Sequence, residues 1–182
     1  MTDENVLDPD KARWIETLSG GAHVLIRPIR RLDSVAEHHF TEALPSAARR
    51  YRFLGHMARP SINLTEHLEV IDPHKSIVFV AIVKEGASEA IVGVARYSND
   101  LARSRCECAL IVANEWQHRG MGTALLKHLI ELARVSGIES LVMLESAENT
   151  EMRDLVRHLG FHVHIDPNDS SQVIFSLNVQ HS

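Results

Sequence analysis

Cysteine is scarce, with two residues among 182, so no disulfide framework staples this chain. Long apolar runs are missing: nothing approaches the roughly 18 consecutive residues that a membrane-crossing helix needs. The opening residues, Met1-Thr2-Asp3-Glu4-Asn5, are acidic where a secretory leader would start basic. A general nucleic-acid binder carries a basic excess, whereas the formal net charge here is −5. These absences lead to the expectation of a cytoplasmic protein with neither a membrane nor a nucleic-acid partner. What is present fits one compact domain. An apolar content of 45% supports a sizeable core, and no linker, repeat or low-complexity tract divides the chain.

A usable metal-ligand pattern is also lacking. The 12 histidines are scattered, and neither His38-His39 nor His158, His162 and His164 have a partner set such as H-E-x-x-H. Cys106-x-Cys108 stands without further thiols at ligand spacing, and strand alternation puts both on one face as small buried thiols. No metal is expected.

Periodicity and turn residues give an α/β order. Pro9 to Leu18 reads as a short helix, with Trp14, Ile15 and Leu18 as its apolar stripe and Gly20-Gly21 at its end. This divides the chain into a helical extension over residues 1–20 and a main domain over residues 21–182. His23 to Ile29 reads as a strand, and Asp33 as the cap of a helix running to Leu44. Two short helices follow, Ser46 to Leu54 and Leu64 to Ile71. A hairpin then pairs Ser76 to Lys84 with Ala90 to Tyr97. Arg105 to Val112 is a buried strand, followed by a helix ending at Gly137. Ser140 to Leu144 is another strand. Asn149 to Leu159 is a helix stopped at Gly160, and His162 to Ile165 with Val173 to Val179 close the chain as a strand pair.

The densest chemistry lies at Gln117-His118-Arg119-Gly120-Met121-Gly122-Thr123, between a strand and a helix. Two glycines keep side chains away, and the unpaired N–H groups of a helix's first turn favour an anion. Arg119 adds a full positive charge. Together they form a candidate pyrophosphate cradle; the plainer reading is a tight turn with close helix packing. Gly120-x-Gly122 lacks the third glycine of the dinucleotide fingerprint, and the Gly-Lys-Ser/Thr of a nucleotide-triphosphate loop is absent.

This Q-x-x-G-x-G loop resembles the acyl-CoA loop of the GNAT superfamily of N-acetyltransferases. Asn149-x-x-Met152-x-x-Leu155-x-x-x-Leu159-Gly160-Phe161 resembles the second signature of the same superfamily. The resemblance covers most of the chain. It implies a mixed, mostly antiparallel central sheet flanked by helices, with acetyl-CoA bound at a splayed strand and a helix N-terminus. Residues 117–123 would then hold the pyrophosphate. Asn149 would reach the pantetheine amides or serve as a helix cap, and a backbone N–H of Leu110, Ile111 or Val112 would polarise the thioester carbonyl.

Acetyl transfer to an amine needs the neutral amine, and a lysine with a reference pKa of about 10.4 is less than about 0.1% neutral at pH 7. A base is therefore useful. Glu107, amid apolar strand neighbours, is the first candidate, with a cross-strand ion pair to Arg96 as its plainer role. Glu145 is the reserve. Many members of the superfamily place a tyrosine, as general acid for the leaving thiolate, where this chain has Val156, and neither Tyr51 nor Tyr97 falls on that position.

Two further segments, Val24-Leu25-Ile26-Arg27-Pro28-Ile29-Arg30 and Arg49-Arg50-Tyr51-Arg52-Phe53-Leu54, are similar to the acetyltransferase domain of bacterial protein lysine acetyltransferases. So is Cys106-Glu107-Cys108-Ala109. That resemblance implies a protein lysine acceptor, such as one on an acyl-CoA synthetase, and a glutamate base on this strand. The alternatives are a small amine acceptor and a non-catalytic acetyl-CoA sensor. The terminal segments could also pair across a homodimer.

Overall fold

The computed structural model describes residues 11–45, 76–99 and 105–180. The helices expected over residues 46–54 and 64–71, and with them the Arg49–Leu54 run, lie outside the described residues. Among the described residues, eight strands form one sheet: β1 (Trp14–Thr17), β2 (His23–Pro28), β3 (Ser76–Glu85), β4 (Ser88–Asn99), β5 (Arg105–Val112), β6 (Ser140–Ser146), β7 (His162–Asp166) and β8 (Asp169–Asn178). The order across the sheet is β1-β2-β3-β4-β5-β6-β8-β7. Every neighbouring pair is antiparallel except β5 and β6.

Three α-helices accompany the sheet among the described residues: α1 (Ser34–Ala43), α2 (Met121–Val135) and α3 (Thr150–His158). Leu125, Leu126, Leu129, Leu132 and Ala133 form the buried stripe of α2 at helical spacing. They pack with Phe79, Tyr97, Cys106, Cys108, Leu110, Leu141 and Phe175 into the larger core. On the opposite face, Phe40 and Leu44 pack on Val80, Val94 and Ile91. Gly93 lets the sheet approach α2, because a Cβ there would sit 2.9 Å from Leu125 Cδ1. The mixed, mostly antiparallel sheet agrees with the fold expected from the resemblance.

The N-terminal segment departs from expectation. Trp14 to Thr17 is a strand, not a helix: Trp14 opposes Ile26 and Thr17 opposes His23. Tertiary contacts override a pattern that also fits a helical stripe. Trp14 stacks on His128 of α2 at 4.1 Å and sets its edge against Phe79. Glu16 Oε1 lies 2.6 Å from His128 Nε2. Gly20 and Gly21, at φ of +90° and +81°, turn the β1–β2 hairpin instead of ending a helix.

Asp33 stands at the N-cap position of α1, yet its side chain makes no capping bond to that helix. Its carboxylate instead takes two hydrogen bonds from buried Arg27, at 2.7 and 2.8 Å, and one from the Arg30 amide at 2.6 Å. Cys106 and Cys108 are buried on one face as expected. Burial pushes the Cys106 thiol up to about 11. Burial also pushes Cys108 up, assisted by the charge of Glu107. Neither thiol should react with an alkylating reagent at neutral pH until the protein unfolds. Labelling of native protein, read by mass spectrometry, would contradict this.

Candidate active site

The one parallel pairing among the described residues creates the site. β5 and β6 are paired only over Arg105–Glu107 against Ser140–Val142, ending at Glu107 opposite Val142. Beyond that point β5 keeps β4 as its neighbour as far as Val112 opposite Gly93, while β6 keeps β8. A gap therefore opens between β5 and β6.

Amide direction along β5 follows from one bond. Ala113 donates to the Val92 carbonyl at 2.9 Å. Antiparallel alternation then turns Ile111 and Ala109 toward β4, and Leu110 and Val112 toward the gap. Of the three candidate amides, Leu110 and Val112 face the gap and Ile111 does not.

The gap leads to the N-terminus of α2. The chain leaves β5 through a 3₁₀ turn, Asn114–Trp116, and enters the helix at Gly120. Gln117 Nε2 donates to the Val112 carbonyl at 3.1 Å and to Asn114 Oδ1 at 3.3 Å, so Gln117 ties the loop to the strand end. Gly120 has φ of +89° with open space where a Cβ would be, so backbone conformation alone calls for glycine. Gly122 is required for another reason. A Cβ there would lie 2.7 Å from Leu155 Cδ1 and 3.2 Å from Leu110 Cδ2, where α2, α3 and β5 meet. The first helical bond runs from Ala124 N–H to the Gly120 carbonyl at 3.0 Å. The amides of Met121, Gly122 and Thr123 thus have no acceptor within the helix, and they present its positive end.

Around these amides, Arg119 is exposed and lies over the Trp116 ring at 5.0 Å. His118 adopts φ of +57°, and its Nε2 lies 3.5 Å from Glu151 Oε1. One support is not apparent from the sequence: Ser19 N–H donates to the Arg119 carbonyl at 3.0 Å, tying the β1–β2 turn to this loop. Its sequence signal is Gly20-Gly21, which marks a hairpin here and not the expected helix end.

The two candidate carboxylates fall on opposite faces of the sheet. Glu107 is half-buried at the vertex of the gap, on the α1 face, and opposes Ser98 on β4. Glu145 is buried, on the α2 face with Leu141 and Met143. Three residues beyond Val142 place it about 10 Å along β6 from the vertex. Burial raises the Glu145 pKa, while the Ser146 amide at 2.9 Å and the Asn149 side chain pull it back. Asn149 is the cap of α3, accepting from Met152 N–H at 3.0 Å. Val156 is fully buried in the core. No group of histidines, cysteines and carboxylates suited to a metal occurs among the described residues.

A strand that parts from its parallel neighbour beside the bare amides of a helix is the architecture of an N-acetyltransferase. The chain belongs to the Acetyltransferase (GNAT) family, whose model matches residues 38–161. It is 42% identical over 164 residues to Acetyltransferase PA5475 of Pseudomonas aeruginosa, covering 90% of this chain and 88% of that protein. Its fold is similar to the GNAT domain of S. lividans PAT, with a TM-score of 0.74 at 20% identity over 91% of this chain and 96% of that one. It is also similar to yncA, a putative acetyltransferase from Salmonella typhimurium solved with acetyl-CoA. There the TM-score is 0.61 at 21% identity, over 87% of this chain and 95% of the other.

Proposed function

We propose that this protein transfers the acetyl group of acetyl-CoA to a lysine amine of an acceptor protein by direct attack, with Glu107 as general base. The observation that carries the reading is the gap itself, which opens at Glu107 and runs to the bare amides of α2. About 17 Å of strand separates Glu107 from Val112, a span suited to an extended pantetheine arm. The pyrophosphate would sit on the Met121, Gly122 and Thr123 amides beside Arg119. The Leu110 N–H, facing the gap, would take the developing oxyanion.

In the step itself, the amine nitrogen bonds to the thioester carbon and the C–S bond breaks. CoA leaves as the thiolate, and the proton lost by nitrogen goes to Glu107. A thiol with a reference pKa of about 8.5 is a sufficient leaving group without an acid, which suits an apolar Val156. Residues 21–182 would supply the catalytic domain in the cytoplasm, with β1 bracing it.

The protein-lysine acceptor is supported by the sequence resemblance. Part of that resemblance has a structural cause, since Arg27 is locked to Asp33 inside the fold. The deciding experiment is thiol release from acetyl-CoA with an acyl-CoA synthetase and a panel of small amines, alongside calorimetric binding of CoA. Turnover with the synthetase alone supports the proposal. Turnover with a small amine replaces the acceptor, and tight binding without turnover on any acceptor points to a sensor.

Gly120→Val tests the cradle. A β-branched residue at positive φ costs roughly 1–2 kcal/mol or more, so the loop should shift and the Kd for acetyl-CoA should rise about ten-fold. Unchanged affinity would remove the pyrophosphate from this loop.

A further inference from the structure

We propose that Arg96 is a positioning residue for Glu107, its guanidinium holding the carboxylate ready to take the proton of the incoming amine. The inference rests on the reading of Glu107 as the base. The sheet register brings the two side chains together. Arg96 on β4 opposes Ala109 on β5, and Glu107 opposes Ser98. Paired residues share a face, so Arg96 and Glu107 are diagonal neighbours on one face, about 7–8 Å apart at the backbone and within reach of two long side chains.

Both are half-buried. Burial pulls the Arg96 guanidinium below its ordinary value, and the charge on Glu107 pushes it back up. A cation fixed on the neighbouring strand attracts the carboxylate and limits where its oxygens can point.

The rows around the pair concentrate this effect. Val78 opposes Arg96 from β3 and Val142 opposes Glu107 from β6, while Ser98 stands opposite Glu107 on β4. Arg105, the next residue on the Glu107 face of β5, is exposed to solvent. Arg27, on the next row of the same face, is already bonded to Asp33. Low polarity strengthens the attraction between a partly desolvated arginine and a carboxylate. Arg96 also lies toward the open end of the gap, opposite Ala109, two residues beyond the vertex.

A double-mutant cycle on kcat tests the proposal, with Arg96→Met, Glu107→Gln and the double variant compared at saturating acetyl-CoA. Arg96→Met should lower kcat roughly ten-fold with little change in the KM for acetyl-CoA. Arg96→Lys, which keeps the charge, should stay within about three-fold of the parent. In the Glu107→Gln background, Arg96→Met should cost little more, because the group it acts through is gone. Circular dichroism and CoA binding check that each variant is folded. Full additivity of the two losses, or Arg96→Lys falling as far as Arg96→Met, would overturn the role of Arg96. A Glu107→Gln variant that keeps its full kcat would instead overturn the base assignment on which the proposal stands.

Discussion

Glu107→Gln is expected to lower kcat at least about 100-fold while leaving the Kd for acetyl-CoA within about two-fold. Glutamine keeps the size of the side chain but cannot accept the amine's proton at neutral pH. The cofactor contacts proposed here are backbone amides of Leu110 and of residues 121–123, which this change does not touch. Binding and turnover should therefore separate, as expected when a group acts in the transition state alone. Glu145→Gln provides the contrast. Glu145 lies on the other face of the sheet, bonded to the Ser146 amide and the Asn149 side chain, so its loss should loosen the start of α3 before it affects chemistry. If Glu145→Gln removed turnover with normal acetyl-CoA binding and Glu107→Gln did not, the base would move to β6.

Most of this arrangement is legible in the sequence where local physics decides it. The strand from Arg105 to Val112, the glycines after it and the α2 stripe read correctly because period, turn and burial agree there. The separation of Glu107 from Glu145 is not legible. It depends on β5 and β6 running parallel with Cys106 opposite Leu141, which sets Glu107 level with Val142 and Glu145 on the other face. Register of this kind belongs to the pair of strands and not to either segment. The direction of Ile111 is hidden for the same reason. At the N-terminus, Trp14, Ile15 and Leu18 fit a helical stripe as well as a strand. The choice is made by Phe79 and His128, which are far away in the chain.

Asp33→Asn is expected to destabilise the fold by about 3–5 kcal/mol, because it leaves the Arg27 guanidinium buried without its counter-charge. The side chains are 4% and 10% exposed, so solvent screens the pair poorly. Glu89 lies 3.7 Å from Arg27 but is 53% exposed and offers weak compensation. Burial by itself would raise the Asp33 pKa. The Arg27 hydrogen bonds, the Arg30 amide and the charges of both arginines outweigh it, and the net shift is downward. A carboxylate held lower in the folded state contributes stability that is present above the unfolded value of about 3.9 and is lost as the pH falls through the folded value. The parent protein should therefore keep this contribution at neutral pH and lose it only below about pH 4. Asp33→Asn should be weaker at neutral pH, approach the parent as the pH falls through the folded Asp33 value, and lack that part of the acid transition. Replacing both partners, Arg27→Met with Asp33→Leu, should cost less than Asp33→Asn alone, since no charge is then left unpaired. Urea melts of the three variants at neutral pH measure the ordering, and a double variant weaker than the single would contradict it. The pair joins the end of β2 to the start of α1, and β2 stands three places from β5 in the sheet order. Folded Asp33→Asn protein should therefore still bind acetyl-CoA with its parent affinity, which separates the structural role of the Arg27-Pro28-Ile29-Arg30 segment from the chemistry at Glu107.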